Sequence, residues 1–216
     1  MATWIAHLRV AEAIVQRWPI DDHTAFYVGN LGPDCGEPNE DWTEFSPPTE
    51  VSHWSTTYKK NTIDPEAFYQ TYLSGSWDDF YLGYYIHLHC DLLWDRDVGK
   101  VARDRFKQGF QTPGFIWTIK EDWYAHDNRF LMAHPGWEPF RRICRIKHFP
   151  NHYLDYYPEH AFTRQMKYIC NFYQTHPFHD DEFKYLSLEE YEAYVETAIA
   201  HVNEILSRHS GKSFLE

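Results

Sequence analysis

The run from Ser76 to Asp95, SWDDFYLGYYIHLHCDLLWD, constrains the fold more than any other stretch of the chain. Ser76 can cap a helix whose first turn holds Asp78 and Asp79, where carboxylates complement the helix dipole, and an apolar pattern continues to about Asp95. On such a helix Gly83, His87 and Asp91 fall four apart and share one face. A histidine and a carboxylate at that spacing can grip one divalent cation. A glycine one turn earlier leaves room for the metal or for a second ligand-bearing segment. The same spacing also arises in surface His–Asp pairs, so the rest of the chain decides what it means.

Helices account for most of that remainder. Thr3 to Arg17 carries a stripe of Trp4, Leu8, Ala11 and Val15 and stops before Pro19. A short helix is expected over Asp22 to Val28. Asp64-Pro65 supplies an N-cap and a first-turn proline for a helix reaching Leu73. Further helices are predicted over Val98 to Gln108, Thr118 to His134, Glu138 to Ile146 and Glu159 to Tyr173. The last, Ser187 to Arg208, opens on a capping box of Ser187 and Glu190. No alternating strand pattern competes. The reading is one all-α domain over residues 1–216, a helical bundle interrupted by a long Pro- and Gly-rich loop at about 29–61. Trp42, Phe45, Val51 and Trp54 would anchor that loop to the body of the protein.

The 216 residues, 43% hydrophobic and 19% aromatic, can enclose a sizeable core. The chain holds 14 histidines and a net charge of -12 with those histidines neutral, a supply of ligands suited to zinc, manganese or iron. That acidity opposes nucleic acid as a partner and binding to anionic membranes, and any phosphate chemistry would lean on metal charge. No signal peptide or membrane-length apolar run is visible, so the expectation is a cytoplasmic protein without a membrane anchor. Cys35, Cys90, Cys144 and Cys170 form no C-x-x-C pair and are expected to be reduced thiols.

Other candidate ligands lie upstream of the central helix. His7 adjoins the apolar stripe of the first helix and, taken alone, reads as a buried histidine satisfied by a backbone carbonyl. Gly29-Asn30-Leu31-Gly32-Pro33-Asp34 has the glycines and proline of a tight turn that can aim Asp34 inward. His53 lies further along the same loop. Cys90, Trp54, Tyr84 and Tyr85 read first as core, and Lys59-Lys60 as a solvated pair.

Four motifs in order, Trp4-Ile5-Ala6-His7, Gly29-Asn30-x-x-Pro33-Asp34, Glu50-Val51-Ser52-His53-Trp54 and Gly83-Tyr84-x-x-His87-x-x-x-Asp91, resemble the bacterial zinc-dependent phospholipase C family. The likeness is to its short, cytoplasmic branch; the P1-type nucleases belong to the same superfamily. It covers about the first 95 residues and extends loosely through Trp123-Tyr124-x-x-Asp127 and Tyr153-Leu154-Asp155-Tyr156. It implies an all-helical fold in which Asp34, His53, His87 and Asp91 hold a first metal. Asp91 would bridge toward a second metal held with His7, giving one or two ions, zinc foremost. If the site is catalytic, a metal-activated water, oriented or deprotonated by Asp34, would attack a small phosphorylated substrate whose phosphate Lys59 and Lys60 could neutralise.

The chain departs from the secreted relatives of that family. Their mature amino terminus is a tryptophan whose amine binds metal, whereas Trp4 here follows three residues. Where they place a histidine after the H-x-x-x-D aspartate, this chain offers Asp95 or Asp97. Downstream, His176 and Asp180 have ligand spacing but enclose Pro177. Asp122, His126 and Asp127 form an alternative second cluster on one expected helix. Three other readings stay open: a non-enzymatic metal-binding or scaffold protein, an HD-type phosphohydrolase built on His179-Asp180, and a cytoplasmic interaction protein with a degenerate site. Serine or cysteine nucleophiles find no support, since the chain has no G-x-S-x-G elbow, P-loop or G-x-G-x-x-G turn.

Overall fold

A computed structural model describes residues 1–41, 43–57, 60–178 and 182–210, with the backbone alone at residue 60. Over these residues the chain is all-α in class, as its periodicity predicts, with a single two-residue β pair.

The central element is α5 (Asp79–Trp94). Its cap is Asp78, whose Oδ1 accepts from the N–H groups of Phe80 at 2.9 Å and Tyr81 at 3.3 Å. Ser76, the expected cap, lies too far upstream because the first helical residue is Asp79. The helix passes through a π turn (Asp95–Gly99) into α6 (Lys100–Arg105), which is shorter than the helix expected over Val98 to Gln108. Phe80, Leu82, Tyr84, Ile86, Leu88 and Trp94 are buried on different sides of α5, and a helix apolar all round must be surrounded. Its neighbours are α1 (Trp4–Val15), α2 (His23–Asn30), α4 (Pro65–Tyr72) and α10 (Leu188–Ser210).

The α2–α5 crossing is the closest of these contacts. A Cβ on Gly83 would lie 2.1 Å from the Phe26 carbonyl oxygen and 2.8 Å from the Asn30 nitrogen, and one on Gly29 would lie 2.0 Å from the Phe80 oxygen. Two missing side chains therefore let the helix backbones touch. The space at Gly83 is taken by α2, the segment that leads into Asp34.

The described residues of the expected loop carry more local structure than its composition suggests, and Trp42 lies outside them. Beyond α2, which reaches Asn30 where the sequence suggested Val28, come a 3-10 turn (Gly32–Cys35) and an antiparallel pair of Glu37–Pro38 with Phe45–Ser46. A short helix, α3 (Thr49–Ser52), and a second 3-10 turn (Lys60–Thr62) follow. Asp64 caps α4 by accepting from the Ala67 N–H at 3.0 Å, with Pro65 in the first turn as expected.

The second half supplies α7 (Phe115–Ala133), α8 (Glu138–Cys144) and α9 (Ala161–Thr175), each displaced by a few residues from its expected bounds. At the start of α10 the Ser187 N–H donates to Glu190 Oε2 at 2.9 Å and the Glu190 N–H to Ser187 Oγ at 3.1 Å, which is the expected capping box. Helices α8 and α9 pack together and bring the Cα atoms of Cys144 and Cys170 to 5.6 Å, and the two are disulfide-bonded.

That pairing corrects the expectation of four reduced thiols. The partners are 26 residues apart, and their meeting depends on helix packing that no local spacing announces. Cys35 and Cys90 are free and buried. A persistent disulfide belongs to oxidising surroundings, so it weighs against a cytoplasmic setting. Among the described residues no helix is long and apolar enough to cross a membrane.

Gly83→Ala is expected to lower the unfolding free energy by at least about 2 kcal/mol, because the added methyl meets rigid backbone rather than a mobile side chain. Urea unfolding measures this, and an unchanged midpoint would mean that the crossing is looser than described. Alkylation of the unfolded, unreduced protein should label Cys35 and Cys90 and leave Cys144 and Cys170 unmodified in the mass spectrum.

Candidate metal centre

Five side chains from four separate segments converge beside α5. His7 comes from α1, Asp34 from the Gly32–Cys35 turn, His53 from the C-cap of α3, and His87 with Asp91 from α5 itself. His7 Nε2 lies 3.4 Å from Asp91 Oδ1, and His53 Nε2 lies 3.3 Å from Asp34 Oδ1 and 3.5 Å from Asp91 Oδ2. His87 Nε2 is 3.7 Å from Asp91 Oδ2. The sets His7, Asp34, His87 and His53, His87, Asp91 each place their donor atoms within 4.8 Å of one another. All five expected ligands are thus brought together, with side chains no more than 3% exposed.

Hydrogen bonds on the far side of the rings aim them inward. His87 Nδ1 is 2.8 Å from the Asn30 carbonyl, which can only accept, so Nδ1 carries the proton and the Nε2 lone pair faces the cluster. His53 Nδ1 is 2.9 Å from Ser52 Oγ, whose single hydrogen is directed to the Thr49 carbonyl. With Nδ1 engaged by Ser52, Nε2 points in. His7, stacked on His87 with ring centroids 3.8 Å apart, has no hydrogen-bond partner at either nitrogen among the described residues. The carbonyl-satisfied reading of His7 is therefore corrected.

The backbone around these side chains is held from outside. Tyr157 donates to the carbonyls of Gly32 at 2.9 Å and Pro33 at 3.2 Å, and Arg164 donates to the Cys35 carbonyl at 2.7 Å while pairing with Glu37 at 2.6 Å. These four contacts fix the turn that carries Asp34. Tyr84 OH donates to the Ser52 carbonyl and fixes the His53 turn. Trp54 then adopts φ +50, a left-handed geometry that ends α3 and is uncommon for a bulky residue. Its ring is retained by Phe68 and Tyr72 and by a hydrogen bond to Tyr156 OH at 3.2 Å.

The electrostatics favour a bound cation. Burial, reinforced by His87, lowers the His7 pKa to about 4, so that imidazole is neutral at pH 7. Burial pushes the Asp34 carboxyl up, but the facing His53 and His87 outweigh it and hold it below the usual carboxylate range. Each buried polar group left without a hydrogen bond costs roughly 1–3 kcal/mol. His7 Nδ1 and Nε2, both Asp34 oxygens and His87 Nε2 are in that position. One divalent ion would balance the two carboxylate charges and take up the inward lone pairs, so this donor set fits a metal.

The alternative second cluster does not form. Asp122 Oδ2 accepts from the N–H groups of Tyr185 at 2.5 Å and Leu186 at 3.4 Å, and His126 Nε2 donates to the Leu186 carbonyl at 2.7 Å. Asp127 accepts from Thr3, Tyr173 and Tyr191. Asp122 and His126 are both spent on the backbone at Tyr185–Leu186 and Asp127 on three hydroxyls, so sharing a helix does not bring them to one ion. Asp95 and Asp97 pair with Arg103 and Arg96, and His176 lies 3.3 Å from Glu121. Lys59, Asp180 and the His179-Asp180 dipeptide lie outside the described residues, as does the side chain of Lys60.

A cavity of about 450 Å³ has Asp34 and His53 in its lining. Aromatic side chains including Trp4, Trp123, Tyr124 and Phe172 wall it, and Lys120, Arg164 and His176 add polar lining. Tyr84 and Tyr85 are core residues, as expected, and Cys90 is too. Asn30 and Ser52 each stand beside or within the motif of a candidate ligand, which is the signal that marks them. Nothing local marked Tyr157 or Arg164, which reach the site from distant segments.

Loss of bound zinc is expected in His87→Ala and Asp91→Asn, with wild type carrying at least one divalent ion per chain by elemental analysis. In the metal-free protein, His7 has a folded pKa near 4 against 6.5 unfolded, so the unfolded state takes up the proton first. Stability should therefore fall as the pH drops from 6.5 toward 4. The advantage of wild type over His7→Gln should shrink over that window by roughly 3 kcal/mol, measured by unfolding at each pH.

Comparison with known protein families, curated proteins and solved structures finds no match to this chain, so the chemistry of the five converging residues is the guide to its function.

Proposed function

We propose that the protein is a metal-dependent hydrolase of small phosphate esters. The observation that carries this reading is the cavity of about 450 Å³ that has Asp34 and His53, two of the five converging side chains, in its lining. A metal held only for structure needs no open side, whereas a catalytic ion needs a position for water and a path for substrate. His7, Asp34, His53, His87 and Asp91 would hold zinc or a similar ion, as one centre or two adjacent ones sharing this donor set. When bound, such an ion lowers the pKa of its water to about 7 and offsets charge on phosphoryl oxygens.

The protein's own groups divide the remaining work. Asp34, a carboxylate in the cavity lining, would orient or deprotonate a water beside the ion. The Nδ1 bonds of His53 and His87 keep both rings from rotating, so the site needs no rearrangement before reaction. Trp4, Trp123, Tyr124 and Phe172 exclude water from the non-reacting part of the substrate and strengthen the local electrostatics.

Purified without an affinity tag, the protein should contain divalent metal and hydrolyse a chromogenic phosphomonoester or phosphodiester. Asp34→Asn should lower kcat by 10²-fold or more while the protein remains folded. Metal present without hydrolysis of either ester class would favour a metal-binding scaffold. Absence of stoichiometric metal would sink the hydrolase reading.

A further inference from the structure

Asp127 is a buried carboxylate that the metal set does not use. It lies on α7, fully buried, and accepts three hydroxyl hydrogens: Thr3 Oγ1 at 2.6 Å, Tyr191 OH at 2.5 Å, and Tyr173 OH. These donors come from the start of α1, from α10 and from α9. Burial pushes the Asp127 carboxyl up to about 7 despite them. A buried charge is an expensive way to fill space that an apolar side chain could fill.

Its contact with Thr3 connects it to the metal set. A threonine hydroxyl has one hydrogen, and Thr3 gives it to Asp127, leaving an oxygen lone pair to cap the Ala6 N–H at 3.3 Å. Thr3 is thereby fixed as the N-cap of α1. The preceding residue, Ala2, is 3% exposed and its backbone N–H donates to Asp91 Oδ1 at 2.9 Å. The other oxygen of Asp91 is the one that faces His53 and His87. A carboxylate pinned at one oxygen cannot rotate freely, and hydrogen bonds of this kind orient metal ligands.

We propose that Asp127 is a positioning residue for the metal centre, acting through Thr3 and Ala2 to hold Asp91 in its ligating orientation. This rests on the metal reading of the five-residue set. Asp127 touches neither ion nor substrate, and it places α1 so that the Ala2 N–H and His7 both meet Asp91.

The test compares wild type with Asp127→Asn, Thr3→Val and the conservative Thr3→Ser. Three readouts are used: affinity for Zn²⁺ alone by chelator competition, the visible absorption spectrum of the Co²⁺ form, and hydrogen exchange at the Ala2 amide without metal. Asp127→Asn and Thr3→Val should weaken Zn²⁺ binding about 10–100-fold, alter the Co²⁺ spectrum and speed Ala2 exchange. Thr3→Ser should restore wild-type behaviour in all three. If Asp127→Asn does not fold, Thr3→Val and Tyr173→Phe carry the comparison. Folded variants with unchanged affinity and spectrum would overturn the positioning role while leaving the metal reading intact. A wild type that binds no Zn²⁺ would overturn both, and unchanged Ala2 exchange in Thr3→Val would independently remove the Thr3–Ala2 link.

Discussion

The contact of two helix backbones at Gly29 and Gly83 is the constraint on which the site depends. With side chains at those positions α2 and α5 would separate by more than an ångström. The hydrogen bond from His87 Nδ1 to the Asn30 carbonyl spans only 2.8 Å and would not survive that separation. The same crossing sets where α2 ends, and so where the Gly32–Cys35 turn presents Asp34. Asn30 adds a bond to the Gly83 carbonyl at 3.3 Å, tying the two helices at the point of closest approach. One steric fact thus fixes a ring tautomer, a ligand's direction and the entry of a third segment.

Around that crossing the protein keeps a group of polar atoms under-satisfied. The neutral His7 ring stacks on His87, and the Asp34 carboxylate is kept ionised in a buried place. A cluster of this kind is costly for an empty fold and favourable for one that binds a cation. The aromatic packing that surrounds it, with Phe68 stacked on Tyr84 at 4.7 Å and Trp94 against Tyr194 at 4.7 Å, supplies rigidity that the inward-facing donors do not. Outside it, Arg164 and Tyr157 brace the Asp34 turn from α9 and from the segment before it.

What could be read from the chain alone follows the range of the interactions. Helices announced by caps, such as Asp64-Pro65 and the Ser187–Glu190 box, lie where those signals put them, because capping is local. The five converging side chains were legible as candidate ligands through the His87–Asp91 spacing and the order of the surrounding motifs. Gly83 was legible as a gap, but only the packed structure shows that backbone fills it. The Cys144–Cys170 bond and the scatter of Asp122, His126 and Asp127 were not legible, since both depend on which helices pack together. Helix periodicity places residues on a face, and only tertiary packing says what that face meets.

Anomalous diffraction at the zinc edge from crystals of the zinc-loaded protein tests the central claim most directly. The account predicts a peak among His7, Asp34, His53, His87 and Asp91, about 2.0–2.1 Å from His87 Nε2. An empty cluster in a protein soaked with zinc, or a peak bound only elsewhere on the surface, would contradict it.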